Sequence, residues 1–147
     1  MSIIFSRSCE YATQAVLFLA RAPQGEAVLL RDISLALGIP HHFLNKVLQL
    51  LTHHGIVTSQ KGTNGGFSLA KSAHTITLDE IIHAIDGEGF LAGCVLGFPN
   101  CGDDDPCPVH AHWKRARGVI SDMLTQKTVA ELSKTLNGKL RTIEQGR

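Results

Sequence analysis

Residues 33–71, ISLALGIPHHFLNKVLQLLTHHGIVTSQKGTNGGFSLAK, contain the pattern that decides the fold. Gly38 and Pro40 separate two amphipathic segments, and glycine is typical just after a helix while proline is typical at the first position of the next one. The second segment has apolar residues at helical spacing, which predicts one buried face made of Leu44, Val47, Leu48 and Leu51. Two helices joined by so short a turn predict a helix-turn-helix.

A β-hairpin is predicted directly after these helices, over residues 56–71. IVTSQ alternates as a strand does, KGTNGG contributes three glycines to a turn, and FSLAK forms a second short strand. A hairpin attached to a helix-turn-helix is the wing of a winged helix, whose second helix can lie in the DNA major groove. The predicted fold class is therefore mainly α with a small β-hairpin.

Two further helices complete this unit. The first helix has apolar residues at helical spacing and ends near Pro23 and Gly25; its apolar positions include Ala12, Ala15, Val16 and Leu19. Cys9 lies in the same pattern and is expected to be a small buried hydrophobic residue. Thr77 and Glu80 have the spacing of a capping box, which predicts the start of a helix that ends before Gly87.

A long helix is predicted after Pro108. It has an apolar stripe over four turns, formed by Val109, Trp113, Ala116, Ile120, Met123 and Leu124. Because the rest of the chain offers little to cover this stripe, a second copy of the chain is expected to do so, in a homodimer. A short helix is predicted around residues 129–136, and the polar tail after it is expected to fray. The predicted parts are a winged helix-turn-helix (1–87), a cysteine-bearing loop (88–108), and a dimerisation helix with a C-terminal arm (109–147).

The composition is that of a small protein that builds its own core. Of the 147 residues, 44% are hydrophobic, so no disulfide framework is needed. There is no charged-then-apolar leader pattern and no apolar run of membrane-spanning length, so a cytoplasmic location without membrane association is expected. Residues 1–75, 76–108 and 109–147 carry net charges of +3, −7 and +5, which separates basic from acidic segments along the chain.

The acidic segment contains CVLGFPNCGDDDPCPVH, residues 94–110, with Cys94, Cys101 and Cys107 separated by six and then five residues. Clustered cysteines in a reducing compartment indicate metal binding or redox chemistry. These gaps exceed those of a typical zinc knuckle, whereas an iron–sulfur cluster held by thiolates can be enclosed by a longer loop. A zinc site with His110 is therefore the weaker interpretation, and a metal-free thiol, disulfide or persulfide switch remains an alternative.

Local charges around the thiols act in opposite directions. The three aspartates that follow Gly102 raise the pKa of nearby thiols, and a bound metal would oppose this effect. Asp105 and Pro106 predict a helix start, whose dipole would favour a thiolate at Cys107. An enzyme using Cys107 as nucleophile and His110 as base is disfavoured, because no orienting group or oxyanion site is evident.

These segments together resemble the Rrf2 family of bacterial winged-helix regulators, which has IscR-like, NsrR-like and RirA-like members. The resemblance covers most of residues 3–136 and rests on YATQAVLFLA, residues 39–71, ITLDEIIHAIDG and the three-cysteine loop. It implies a homodimer that binds a partly palindromic double-stranded DNA operator. The hairpin segment GTNGGFSLAK is its most specific part.

The resemblance also implies residues for the DNA contacts. His42, Asn45 and Lys46 occupy the family's positions on the recognition helix, and the wing contributes Lys61 together with Thr63 and Asn64. Asparagine can pair with adenine, and lysine with guanine or phosphate. IscR-like members have an acidic and an amide residue at the positions of Asn45 and Lys46, so a different operator sequence is expected.

Three-cysteine members of the family bind an iron–sulfur cluster, so Cys94, Cys101 and Cys107 are implied as ligands of a [2Fe–2S] or [4Fe–4S] cluster. His110 corresponds to the fourth ligand of IscR-like members, and Glu10 corresponds to the carboxylate that NsrR-like members supply from the other subunit. Imidazole is the better iron partner, which favours His110. The implied function is a transcriptional regulator whose operator binding responds to iron or cluster status, nitric oxide or redox state. Cluster-free relatives respond instead to thiol chemistry, a metabolite or a protein partner, which leaves that alternative open.

Overall fold

The computed structural model describes residues 4–136 and contains six α-helices and one antiparallel hairpin. The helices and strands follow in the order α1 (Arg7–Leu19), α2 (Leu30–Leu37), α3 (His41–His53), β1 (Val57–Gln60), β2 (Gly66–Leu69), α4 (Leu78–Asp86), α5 (His110–Gln126) and α6 (Val129–Thr135). A short 3-10 turn, Ala73–Thr75, precedes α4. This order confirms the predicted winged helix-turn-helix, while the polar tail predicted to fray lies outside the described residues.

The turn between α2 and α3 has the predicted form, with one small difference. Gly38 adopts a left-handed φ of 63° and caps α2, and Ser34 donates a hydrogen bond of 2.6 Å to the carbonyl of Ile39. Pro40 is the residue before α3, with an extended ψ of 133°, rather than its first helical residue. The apolar face of α3 is buried against α1, so the opposite face is left to solvent.

The wing is joined to the rest of the fold through its second strand. The strands pair from Val57 opposite Leu69 to Gln60 opposite Gly66. Val28, in the α1–α2 connection, forms two backbone hydrogen bonds of 2.8 Å with Phe67. This antiparallel bridge adds a one-residue third strand beside the hairpin. Because Val28 comes this close, a Cβ at Gly66 would lie 2.2 Å from its carbonyl oxygen. A glycine is therefore required where the wing meets the core.

Helices α4 and α6 both begin with a capping box. The pair Thr77–Glu80 confirms the sequence prediction, and Thr128–Glu131 repeats the arrangement at α6. The two starts are linked, because Val129 donates a 2.8 Å backbone hydrogen bond to Ile76. Val129 is fully buried in the main core, so α6 packs onto the winged helix.

The long helix α5 is partly covered by its own chain, contrary to the prediction that little would cover its stripe. Leu124 is 1% exposed and packs with Cys9 and Ile82 in a second small core. Cys9 is fully buried, as predicted. The apolar surface left on α5 is narrower than expected and includes Val119, 71% exposed, and Met123, 45% exposed. Among residues 4–136, no helix is both long and apolar enough to span a membrane.

Candidate functional site

The three loop cysteines converge. Their sulfur atoms all lie within 4.8 Å of one another, and those of Cys94 and Cys107 are 3.7 Å apart. Each cysteine is only partly exposed, and the backbone N–H of Cys107 donates to the sulfur of Cys101 at 3.4 Å. Asn100, just before Cys101, has a φ of 60° and is the one non-glycine residue with positive φ in the described part of the chain. The loop thus brings together three thiols that are separated in the sequence by six and then five residues.

The thiols of Cys94 and Cys101 have different pKa values. Desolvation raises the pKa of the Cys94 thiol, but backbone N–H groups of Phe98 and Leu96 and the two neighbouring thiols outweigh it and lower this pKa to about 7. At Cys101, the Cys107 N–H acts to lower the pKa, while desolvation and the neighbouring thiols together raise it above its ordinary value. Cys94 therefore ionises before Cys101, and the negative charge of its thiolate opposes ionisation of Cys101.

The imidazole of His110 lies beside the sulfur of Cys101. Its Nδ1 is 3.3 Å from the Cys101 sulfur, and its Nε2 is 2.9 Å from Oδ1 of Asp103. The other oxygen of Asp103 accepts a 2.8 Å hydrogen bond from Nζ of Lys114. The hydrogen bonds from Lys114 and His110 lower the pKa of the Asp103 carboxyl. Asp103 is therefore paired with cations or donors, and its charge acts on the thiols less than the sequence suggested.

The predicted helix start at Asp105 and Pro106 is wrong. Helix α5 begins at His110, with Val109 as its N-cap residue, so Cys107 lies outside it. Pro108 gives the physical reason, because the residue before a proline is disfavoured in the helical region. Cys107 is instead held by a turn in which its carbonyl accepts a 3.1 Å hydrogen bond from the N–H of His110.

Helix α5 holds the cysteine loop at two places. At the start of the loop, Trp113 donates a 2.8 Å hydrogen bond to the carbonyl of Gly93, and Arg117 donates to the carbonyls of residues 91 and 92 at 3.2 and 3.1 Å. In the middle of the loop, Lys114 holds Asp103. Helix α5 therefore bonds the loop both before Cys94 and after Cys101.

Glu10, the alternative fourth ligand, does not join the cysteine group within one chain. It lies in the first turn of α1, its side chain is 12% exposed, and it is 3.8 Å from a guanidinium nitrogen of Arg7. The resemblance implies that Glu10 would act from the other subunit, and its absence from the group in one chain agrees with this.

The residues predicted to contact DNA lie on two exposed surfaces. On α3, His42, Asn45 and Lys46 are all exposed on the side opposite to the buried leucines. Lys61, Thr63 and Asn64 are exposed in the turn of the wing. The recognition helix and the wing tip therefore present polar and basic groups to solvent.

Sequence reasoning misses the residues that support the cysteine loop. In the sequence, Asp103 is only a negative charge near thiols, and Lys114 is only part of the polar side of α5. Trp113 belongs by its spacing to an apolar stripe, although its indole N–H bonds the loop. The spacing of His110 and Lys114, four residues apart at the start of a helix, is an available indication that both could contact one carboxylate.

This fold, with an exposed recognition helix and wing, is that of the winged-helix DNA-binding transcriptional regulators. The chain belongs to the Rrf2 family. The sequence model of this family, described as an iron-dependent transcriptional regulator, matches residues 5–135. The three converging cysteines fit the three-cysteine type of this family.

Individual relatives agree with this assignment. A protein of Aquifex aeolicus assigned to the HTH-type transcriptional regulators is 35% identical over 132 residues, which are 88% of this chain and 91% of the relative. The HTH-type transcriptional regulator IscR of Vibrio campbellii is 34% identical over 84% of this chain and 73% of its own. The structure of CymR, the global cysteine regulator of B. subtilis, has the same fold, with a TM-score of 0.75 at 22% identity over 90% of this chain and 98% of that one.

Proposed function

We propose that this protein is a homodimeric regulator whose binding to a DNA operator is controlled by an iron–sulfur cluster held in the cysteine loop. The observation that carries this proposal is the convergence of three partly buried cysteine sulfurs within 4.8 Å, next to an imidazole nitrogen. The IscR relatives support it by analogy. Iron or cluster status, nitric oxide and redox state are the candidate stimuli.

The donor set suits such a cluster. Thiolates are its usual protein ligands, and the pKa of about 7 at Cys94 makes one thiolate available near neutral pH. Cys94, Cys101 and Cys107 would hold the cluster and His110 would complete the set, while Glu10 is the alternative. When bound, a cluster of this kind supplies one-electron redox chemistry and an iron that small oxidants can reach.

The contacts of α5 suggest how the state of the loop reaches the DNA-binding surface. Trp113 and Arg117 bond the backbone that leads into Cys94, and Lys114 bonds Asp103, two residues after Cys101. A rearrangement of the cysteines would change these contacts and so shift α5, which packs on α4 and Cys9 through Leu124. In a dimer built on α5, such a shift would alter the distance between the two recognition helices.

The dimer is proposed to form along the apolar surface that α5 leaves exposed. Val119 and Met123 lie one turn apart on it, and Ala116 lies on the same side one turn before Val119. Replacement of Val119 by Asp should shift the protein towards monomer in sedimentation experiments. An unchanged dimer would place the interface elsewhere.

The decisive experiment is purification under nitrogen followed by iron and sulfide analysis and absorption spectroscopy. We expect bound iron and sulfide in the wild type and their loss in Cys101→Ala. The matched control is Cys9→Ala, which removes the one cysteine outside the loop and should retain both elements. A colourless wild type without iron or sulfide after reconstitution would refute the cluster.

The same samples test regulation. Operators are first selected from randomised duplex DNA, and their affinity is then compared between cluster-loaded and metal-free protein at one salt concentration, since affinity depends steeply on salt. A cluster-dependent change in the wild type that disappears in Cys101→Ala supports control by the loop. Equal affinities in both states would contradict it.

A cluster-free thiol switch is the second candidate, and the 3.7 Å between the Cys94 and Cys107 sulfurs favours it. A disulfide between them would need only a small approach of the sulfurs to about 2 Å. Mass spectrometry of peroxide-treated metal-free protein would detect this bond. If oxidation alone changed operator affinity in protein that never bound iron, this alternative would replace the cluster.

A further inference from the structure

We propose that Asp103, held by Lys114, is a positioning residue that fixes His110 with Nδ1 facing the sulfur of Cys101. This inference rests on the proposed cluster function. It specifies which ring nitrogen of His110 would bind the cluster and which residues hold that nitrogen in place. Nothing in the spacing of the cysteines indicates it, because Asp103 and Lys114 come together with His110 only in the folded loop.

The geometry separates the two ring nitrogens clearly. Nε2 of His110 lies 2.9 Å from Oδ1 of Asp103, within ordinary hydrogen-bond range. Nδ1 lies 3.3 Å from the sulfur of Cys101, which belongs to the converging group. One nitrogen therefore faces a carboxylate and the other faces a sulfur ligand.

The chemistry of these partners selects one neutral form of the ring. A carboxylate only accepts hydrogen bonds, so Nε2 must carry the proton when it bonds Asp103. Nδ1 then has a free lone pair, which can accept from a thiol or bind a metal. A carboxylate behind a metal-binding histidine is a common arrangement, because it fixes the tautomer and the ring orientation together.

Asp103 is itself fixed from outside the loop. Its second oxygen accepts a 2.8 Å hydrogen bond from Lys114, which lies one turn after His110 on α5. The imidazole side chain is 12% exposed, whereas the carboxylate is 69% exposed and would otherwise be mobile in water. Because both partners of Asp103 come from the first turns of one helix, the three side chains form a connected set.

Asp104 provides the matched control. It follows Asp103 directly, carries the same charge and is exposed. Asp104→Ala removes one negative charge from the loop without removing the partner of His110. An effect of Asp103→Ala that Asp104→Ala does not reproduce therefore reflects positioning and not net charge.

The first measurement uses reduced, metal-free protein. Long-range ¹H–¹⁵N correlation spectra of ¹⁵N-histidine-labelled protein, at an alkaline pH where imidazole is neutral, distinguish the two tautomers. We expect His110 as a single Nε2–H tautomer in the wild type and in Asp104→Ala, and a mixture in Asp103→Ala. An Nδ1–H tautomer in the wild type, or no change in Asp103→Ala, would overturn the proposal.

The second measurement uses protein reconstituted with iron and sulfide, then reduced. Pulsed electron paramagnetic resonance on samples with histidine labelled at one nitrogen identifies which nitrogen couples to the iron. We expect the label at Nδ1 to change the coupling and the label at Nε2 to leave the strong coupling as it is. Asp103→Asn, whose amide oxygen can still accept from Nε2–H, should retain most of this signature, while Asp103→Ala should weaken or lose it.

The outcomes distinguish this inference from the function on which it rests. A cluster that forms without strong nitrogen coupling, or couples through Nε2, overturns the inference and leaves the cluster function intact. A wild type that binds no iron and sulfide overturns both, even if the tautomer of His110 is as expected. Unfolding curves of all variants show whether a lost signature reflects a lost fold.

Discussion

Replacement of Gly66 by alanine tests how the wing is attached to the core. Gly66 has a φ of +128°, and there is no room for a side chain, since an added Cβ would lie 2.2 Å from the carbonyl oxygen and 2.4 Å from the carbonyl carbon of Val28. Both contacts are to backbone, so no side-chain rotation relieves them. The wing strand must move away from Val28, and this strains or breaks the two 2.8 Å hydrogen bonds between Val28 and Phe67.

Gly62 is the matched control for this substitution. It has a φ of +102°, yet nothing lies within 4 Å of an added Cβ. Alanine at either position costs about 1 to 3 kcal/mol for the unfavourable φ. Gly66→Ala should cost about 2 kcal/mol more, because two backbone hydrogen bonds contribute about 1 kcal/mol each. For a chain of this size the additional loss corresponds to a melting temperature lower by about 4 to 8 °C.

The assay is equilibrium unfolding in urea, followed by circular dichroism at one fixed concentration of metal-free protein, because the stability of a dimer depends on concentration. Operator affinity is measured alongside, and Gly66→Ala should weaken it more than Gly62→Ala, since it displaces the whole wing. Equal destabilisation by the two substitutions would refute the reasoning. It would mean that the two hydrogen bonds between Val28 and Phe67 contribute little to the free energy of unfolding.

Three further predictions concern the thiols, the DNA surface and α5. In metal-free protein, alkylation of Cys94 by iodoacetamide should rise as the pH passes through about 7, because its pKa is lowered to that value and the thiolate is the reactive form. Burial raises the pKa of Cys9 to about 11, so this thiol should stay unmodified. Peptide mass spectrometry measures the modification of both cysteines, and labelling of both over the same pH range would contradict the assigned order of their pKa values. Lys46→Ala and Lys61→Ala should each weaken operator binding and reduce the slope of log K against log salt by about 1, measured by fluorescence anisotropy; unchanged slopes would remove these lysines from the phosphate contacts. Leu124→Ala should cost about 2 to 5 kcal/mol in urea unfolding, since this 1% exposed side chain fills the second core, and a loss below about 1 kcal/mol would mean that α5 is not docked there.

The sequence determined the winged helix almost completely. Gly38, the apolar spacing of α3, the three-glycine wing turn and the pair Thr77–Glu80 each specify local geometry through contacts within a few residues. Interactions of this kind are encoded by residue type and spacing, so they can be recognised without knowing the rest of the fold. The one-residue shift of Pro40 lies within the ordinary variation of a helix boundary.

The candidate site was only partly accessible in this way. The sequence indicated which cysteines belong together and that His110 stands near them, because thiol clustering is a property of composition and spacing. It did not indicate that the imidazole of His110 contacts the sulfur of Cys101, that Asp103 bridges His110 and Lys114, or that Leu124 docks α5 on its own chain. These contacts depend on the path of an irregular loop between residues 88 and 109, which has no helical or strand periodicity to relate spacing to position. Tertiary structure therefore decided the orientation of the site, whereas the sequence alone determined which cysteines form it and the fold that carries it.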